Sequence, residues 1–170
     1  AIARSVLVRD VTTPTSEKYC SGVAIDATTV VTAGHCYAEK LAVNGIPATI
    51  IARSDEPDLL ILRVETGQKL RGAIGNPELG DAVVCISNRA PFVNLFNHGY
   101  VSSAQPPRML VTMLSISGYS GAGVFDARGR LVGVLVGVRT TMEPWGTEES
   151  TFALVIRGED VARFLKDSKA

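Results

Sequence analysis

Ser120 lies in the segment SISGYSGAGVF, between Gly118 and Gly121 and close to Gly123. Glycine permits backbone dihedral angles that other residues rarely adopt, so the chain around this hydroxyl can be shaped closely. A serine hydroxyl is an effective nucleophile at neutral pH when a histidine accepts its proton and a carboxylate orients that histidine. The alternative is a solvated serine in a glycine-rich turn. A base and a carboxylate elsewhere in the chain would decide between the two.

The chain offers two histidines as the base. His35 follows the apolar stretch VVTAG, at a point where a strand is expected to end and the chain to turn. His98 lies in FNHGY, which predicts a polar loop ahead of a strand. Local sequence alone leaves a structural role open for either histidine.

Chain order excludes two arrangements of a catalytic serine. The nucleophile elbow G-x-S-x-G, with a histidine after the serine, does not fit because Ala122 occupies the last position and no histidine follows Ser120. The subtilisin order needs an aspartate well before the histidine, and neither Asp10 nor Asp26 lies in a context that favours this role. The remaining order is histidine, aspartate, serine.

Two aspartates compete for the middle position. Asp58 precedes the apolar run LLILRV, which would bury the surroundings of its carboxylate. Asp55 belongs to the polar segment SDEP and is expected to be solvated. We therefore predict that Asp58 is the carboxylate that pairs with the histidine.

The elements that must position these residues are short β-branched runs, separated by glycine, proline and aspartate. This pattern predicts an antiparallel all-β architecture, either a barrel or a sandwich. The predicted strands are Arg4–Asp10, Gly22–Asp26, Thr29–Gly34, Pro47–Arg53, Asp58–Val64, Ala82–Ser87, Gly99–Ala104, Met109–Leu114, Ala122–Phe125, Arg130–Val138 and Thr151–Ile156.

The strands form two groups of similar size with a glycine-rich connector between them, and a helix is expected at the end. Val161, Phe164 and Leu165 share one face of that helix. The predicted organisation is an N-terminal β unit over 1–68, a linker over 69–80, a C-terminal β unit over 81–156 and a helix over 157–170.

Composition limits the partners of the protein. Hydrophobic residues make up 46% of the 170 residues, which is typical of a globular chain. Basic and acidic residues balance at 17 each, so nucleic acid and anionic lipid are not expected partners. No apolar run reaches the roughly 20 residues of a membrane helix, and no motif predicts a metal or a cofactor. The first residue is Ala1 rather than methionine, which suggests excision from a longer product.

Three segments together resemble a known family. VVTAGHC, DLLILRV and SGYSGAGVF are similar, in order and context, to the three motifs of chymotrypsin-like (trypsin-fold) serine proteases. The resemblance extends from about Val23 to Leu154 and is closest to the compact Deg-type bacterial and viral polyprotein proteases. It implies two packed antiparallel six-stranded β-barrels with a C-terminal helix. It also implies a serine endopeptidase that acts on polypeptides without a cofactor.

The same resemblance assigns roles to individual residues. Ser120 would be the nucleophile, His35 the base and Asp58 the group that orients the imidazole. The backbone N–H groups of Gly118 and Ser120 would form the oxyanion hole. Tyr119 departs from the family, because trypsin-like zymogens have an aspartate there that receives the new N-terminus on activation. A tyrosine cannot accept that charge, so this route of activation is not expected.

The substrate pocket is also implied only by the resemblance. Its walls would come from three segments and would lack the aspartate of a trypsin-like arginine or lysine pocket. We therefore expect a small or medium apolar residue before the scissile bond. The pocket residues proposed in this way are Leu114, Ser115, Val136, Val138 and Thr151.

The cysteines carry a further expectation. Cys20 and Cys36 match in separation a disulfide common in trypsin-like enzymes, although compact viral and Deg-type relatives usually lack it. If formed, the disulfide favours a secreted or periplasmic location, and otherwise a viral or intracellular one. Cys85 is expected in a core.

Two other functions remain open at this stage. One is a catalytically silent module that binds a partner or has a structural role. The other is a protease that cleaves only its own precursor and is then idle. An intact set of serine, histidine and aspartate argues against a silent module.

Overall fold

A computed structural model describes residues 4–68, 72–89, 92–113, 119–142 and 148–168. Within these ranges the side chains of 89, 93, 139–142 and 148–151 are not described.

The first six strands close into an antiparallel barrel. Their order around the barrel is β1-β2-β3-β6-β5-β4. Branched apolar residues such as Val23, Val30 and Leu62 are fully buried, and β2, β3 and β6 are buried along most of their length. The strands are β1 (Ser5–Asp10), β2 (Tyr19–Ala24), β3 (Thr29–Thr32), β4 (Leu41–Val43), β5 (Ile46–Ser54) and β6 (Leu59–Arg63).

The next six strands close into a second antiparallel barrel. Their order is β10-β11-β12-β9-β8-β7. The strands are β7 (Ala82–Arg89), β8 (Phe92–Ser103), β9 (Met109–Thr112), β10 (Gly123–Asp126), β11 (Leu131–Met142) and β12 (Glu148–Arg157). A C-terminal helix, α1 (Gly158–Asp167), follows β12 directly. The fold is therefore the pair of six-stranded barrels with a terminal helix that the sequence predicted.

The core has two parts. One cluster fills the first barrel and continues into the junction between the barrels, where Phe125 and Val134 join it from the second barrel. Val161 and Leu165 of α1 are buried in the same cluster, which fixes the helix across the junction. The other cluster fills the second barrel and includes Met109 and Tyr119. The continuous apolar contact holds the two barrels in one arrangement.

Polar contacts also join the barrels. Ser5 Oγ donates to the carbonyl of Ile86 at 3.1 Å. Arg108, just before β9, donates to Glu56 Oε1 at 2.7 Å, two residues before Asp58. These contacts tie the second barrel to the loop that carries the predicted carboxylate.

Two expectations about local structure were wrong. His98 lies within β8 and pairs with Val84 of β7, not in a loop ahead of a strand. Its neighbours on the outward face of β8 are polar or aromatic, so the segment lacks the apolar alternation that marks a strand. Strand β4 was not predicted, because its three residues are too few for a period to show.

No helix among the described residues is long and apolar enough to span a membrane. Within the same ranges, no cluster of three or more histidine, cysteine or acidic side chains could hold a metal ion.

Candidate active site

His35 lies in a short turn that leaves the first barrel. β3 ends at Thr32, and residues Gly34–Cys36 form one 3₁₀ turn. A Cβ atom at Gly34 would come within 2.5 Å of the Ser54 carbonyl and 2.8 Å of Asp58 Oδ1. Only glycine therefore allows this turn to lie directly against the residues that precede β6.

Asp58 lies at the start of the strand that pairs with β3. The pairing sets Thr32 opposite Leu60, so the end of β3 and the start of β6 meet at one rim of the barrel. The backbone of Leu59 donates to the Pro57 carbonyl at 2.9 Å, which tightens the turn before β6. Two local features of the chain thus bring His35 and Asp58 together across 23 residues.

Both carboxylate oxygens of Asp58 bond to His35. Oδ1 accepts the backbone N–H of His35 at 2.7 Å, and Oδ2 lies 2.7 Å from ring Nδ1. With Nδ1 donating its proton to the carboxylate, Nε2 is left as the basic nitrogen of the ring. The His35 side chain is 49% exposed, so Nε2 is open to a substrate or to a neighbouring hydroxyl.

Asp55 does not take part in this pair. Its side chain is 94% exposed and lies 3.9 Å from Arg53. The structure therefore brings Asp58, and not Asp55, to the histidine.

Ser120 belongs to a turn just before β10 of the second barrel. Its carbonyl accepts the backbone N–H of Ser21 in β2 at 2.9 Å, which connects it to the first barrel. Gly121 N–H donates to the Leu135 carbonyl of β11 at 2.6 Å and Ala122 N–H to the Tyr119 carbonyl at 3.0 Å. The turn is thus fixed between the two barrels.

The backbone at Gly121 requires glycine. Its φ of +89° lies in the left-handed region, and an added Cβ would collide with the Ser21 carbonyl and Thr32 Oγ1. The segment after Ser120 therefore lies in direct contact with β2 and with the end of β3. Because His35 follows Thr32 by three residues, Ser120 and His35 approach the same part of the barrel junction.

Several predicted site residues lie outside what the structure describes. Gly118, Leu114 and Ser115 are in the segment 114–118, which is not described. Thr151 pairs with Thr140 in the β11–β12 ladder, but its side chain is among those not described. The oxyanion hole and this part of the pocket remain predictions.

The other two pocket residues have different surroundings. Val136 is buried and packs into the cluster at the barrel junction. Val138 is 50% exposed on the same strand, and its partner Ala153 is fully buried. Of the two, Val138 is the side chain that an incoming ligand can contact.

Cys20 and Cys36 are joined by a disulfide, with their Cα atoms 6.3 Å apart. It links β2 to the last residue of the His35 turn. Cys85 is a buried free thiol on β7, and burial raises its pKa to about 12. The His35 turn is thus held by a covalent bond on one side and by Asp58 on the other.

Sequence reasoning missed the buried polar residues behind the site. Ser21, Thr32 and Asn88 are almost fully buried, although each is a polar residue in a strand. A polar residue within an otherwise apolar run is the one signal that could have marked them.

A sequence match that includes His35, Asp58 and Ser120 identifies the family of this chain. A family model described as "Trypsin-like peptidase domain" matches residues 20–134. The chain belongs to this family. The matched segment contains Cys20, His35, Asp58 and Ser120. No curated protein matches the sequence.

A solved structure shows the same trypsin-like fold. It is the crystal structure of the serine endoprotease from Yersinia pestis, with a TM-score of 0.81 and 19% sequence identity. The match covers 99% of this chain and 63% of that chain. The structural match thus includes β12 and α1, which lie beyond the family match.

Proposed function

We propose that this trypsin-like peptidase domain is a serine endopeptidase with Ser120 as nucleophile, His35 as base and Asp58 as the residue that orients the imidazole. The observation that carries the proposal is the double hydrogen bond between Asp58 and His35, which directs Nε2 away from the carboxylate. The backbone contact of Ser120 with β2 supports it, because that strand is disulfide-bonded to the His35 turn.

The proposed reaction proceeds through an acyl-enzyme. His35 Nε2 takes the hydroxyl proton as Ser120 Oγ attacks the scissile carbonyl carbon, and the carbonyl oxygen becomes an oxyanion. When the tetrahedral intermediate collapses, the C–N bond breaks and the imidazolium gives its proton to the leaving amine. Water then repeats the sequence on the acyl-enzyme, and Ser120 is regenerated.

Backbone N–H groups would stabilise the oxyanion. We assign this role to Ser120 and Gly118, since glycine at 118 permits the backbone angles that turn the amides inward. Loss of one such hydrogen bond typically raises the barrier by about 2.7–4 kcal/mol. The glycines around Ser120 would therefore serve the reaction.

We further propose cleavage after a small or medium apolar residue. Val138 supports this preference, because a half-exposed valine offers apolar contact to a side chain bound beside β11. A cationic side chain has no carboxylate partner among the five residues proposed for the pocket.

A fluorophosphonate probe tests the nucleophile. The native protein is expected to be labelled, the Ser120→Ala protein is not, and Ser102→Ala is the matched control because Ser102 is an exposed serine on β8. Equal labelling of native protein and Ser120→Ala would remove Ser120 from the role. Turnover of a peptide library by the native protein then distinguishes an endopeptidase from a domain that cleaves only its own precursor.

A further inference from the structure

Ser21 contacts the site region through two backbone atoms, its N–H and its carbonyl. Its backbone N–H donates to the Ser120 carbonyl at 2.9 Å. Its own carbonyl accepts the Thr32 hydroxyl at 2.7 Å, and Thr32 is three residues before His35. One fully buried residue of β2 therefore contacts both the residue proposed as nucleophile and the strand that carries the proposed base.

The hydroxyl of Ser21 connects this point to the second barrel. Oγ donates to the Asn88 carbonyl at 3.0 Å and accepts the Asn88 backbone N–H at 2.8 Å. Asn88 ends the part of β7 that faces the first barrel, and it is only 4% exposed. The two barrels are thus joined at Ser21 by a reciprocal pair of hydrogen bonds.

Asn88 is itself held in place. Its side-chain Nδ2 donates to Ser5 Oγ at 2.7 Å, and its Oδ1 accepts the backbone N–H of Asn94 at 2.9 Å. Asn94 has a positive φ of 53° and lies in β8, so the side chain also fixes the start of the β7–β8 hairpin. Asn88 is therefore bound to both barrels, through Ser5 of β1 and through Asn94 of β8.

Burial of Ser21 and Asn88 favours one relative position of the two barrels. A buried polar group that loses its partner destabilises the fold, because water cannot replace the lost bond. A shift of one barrel against the other near Ser120 would break the Ser21–Asn88 pair without an alternative partner from solvent. The network thus favours one spacing of the barrels at this point.

We propose that Ser21 is a positioning residue, which sets the separation of Ser120 from His35 by binding Ser120, Thr32 and Asn88 at once. The proposal rests on the proposed function, since it concerns the proton transfer between those two residues. Such positioning matters because a displacement of about 1 Å can lower the rate about 10²-fold. Ser21 would not touch the substrate.

The test compares kinetic constants of four variants with those of the native protein. Ser21→Ala removes the hydroxyl that joins Asn88, and Thr32→Val removes the donor to the Ser21 carbonyl at nearly constant volume. Thr32→Ser keeps that donor and is the conservative variant. Thr66→Val is the matched control for Thr32→Val, because the Thr66 hydroxyl also donates to a backbone carbonyl, that of Asp26 at 2.6 Å, but does not contact Ser21, Thr32 or Asn88.

We expect kcat on a peptide substrate to fall roughly 10- to 100-fold in Ser21→Ala and in Thr32→Val, with KM close to the native value. Thr32→Ser is expected to recover most of kcat. Thr66→Val is expected to lower the melting temperature while kcat stays near native. Loss of stability alone would affect Thr66→Val and Thr32→Val alike, so a fall of kcat in Thr32→Val but not in Thr66→Val is specific to positioning.

The outcomes separate this inference from the proposed function. Native protein that cleaves peptides, together with native kcat in both Ser21→Ala and Thr32→Val, overturns the positioning role and leaves the protease assignment intact. Equal falls of kcat in Thr66→Val and Thr32→Val also overturn it. Native protein with neither turnover nor fluorophosphonate labelling overturns the proposed function and the positioning role together.

Discussion

Asp58 accepts two hydrogen bonds from the same residue, His35, one at each carboxylate oxygen. The bond from the backbone N–H fixes the turn, and the bond with Nδ1 fixes the ring. A single side chain thus determines both where the imidazole lies and which of its nitrogens is basic. The two functions can be separated by substitutions.

Asp58→Asn tests the orientation of the ring. An asparagine can still accept the backbone N–H, but an amide N–H facing Nδ1 would favour the wrong tautomer of the imidazole. In trypsin-like enzymes such a change lowers kcat by about 10⁴-fold with little change in geometry. Steady-state kinetics should show a loss of this order, whereas Asp55→Asn, at an exposed aspartate three residues earlier, should retain native kcat. Native activity in Asp58→Asn would remove the residue from the mechanism.

Gly34→Ala tests the fit of the turn. The new Cβ would lie 2.5 Å from the Ser54 carbonyl and 2.8 Å from Asp58 Oδ1, so the turn must move away from β6. We expect a loss of kcat of roughly 100-fold from the displaced imidazole. Gly129→Ala is the control, since Gly129 has a φ of +78° with open space around it. That variant should lose about 1–2 kcal/mol of stability and keep its kcat.

Reduction tests the disulfide. Without reductant the denatured protein should expose one thiol, that of Cys85, and with reductant it should expose three. The bond spans 16 residues, so its loss in the Cys20→Ala/Cys36→Ala protein should lower the free energy of unfolding by about 3 kcal/mol. Thiol titration and chemical denaturation measure the two effects. Three reactive thiols without reductant would contradict the pairing.

Asp126 provides a prediction about pH. Its carboxylate accepts bonds from Arg128 N–H at 2.9 Å and from Arg130 N–H and Nε at 3.0 and 2.8 Å. Burial alone raises the pKa of Asp126, but these bonds outweigh burial and hold the pKa below its ordinary value. The stabilisation is therefore complete above the pKa of the unfolded chain, about 3.9, and is lost as pH falls through the lower folded-state pKa.

Asp126→Asn should accordingly be less stable than native protein at pH 7, by about 1–3 kcal/mol. The difference should shrink as the pH falls below about 4. Urea denaturation at several pH values measures both, and Asp55→Asn serves as the exposed control. A difference that stays constant down to pH 2 would contradict this origin of the stability.

The pairing of His35 with Asp58 was accessible from sequence because each residue adjoins an apolar run. When two such runs pair in a barrel, their ends come together. Asp55 lies in a polar segment, so Asp58 was the remaining candidate for the carboxylate. The antiparallel all-β class followed from β-branched runs and turn residues, which left barrel and sandwich open. The two six-stranded barrels followed from the resemblance. The local sequence pattern could therefore predict the site residues that lie at the ends of strands.

The contacts behind the site could not be predicted in the same way. Ser21 and Asn88 are 67 residues apart and lie in different barrels, and neither has a neighbour that marks the contact. Strand β4 is shorter than the window over which alternation can be recognised. His98 was misplaced because the exposed face of β8 carries aromatic side chains in place of the usual polar ones. Each of these features depends on tertiary packing, which a local sequence pattern does not show.

The reactivity of the buried Cys85 thiol can report transient opening of the second barrel. Burial raises the pKa of this thiol to about 12, so it is protonated at pH 7, and strands pack over it. Alkylation under native conditions must wait until β7 separates from its neighbours. The alkylation rate would then measure how often this half of the molecule opens, with no cysteine having to be engineered.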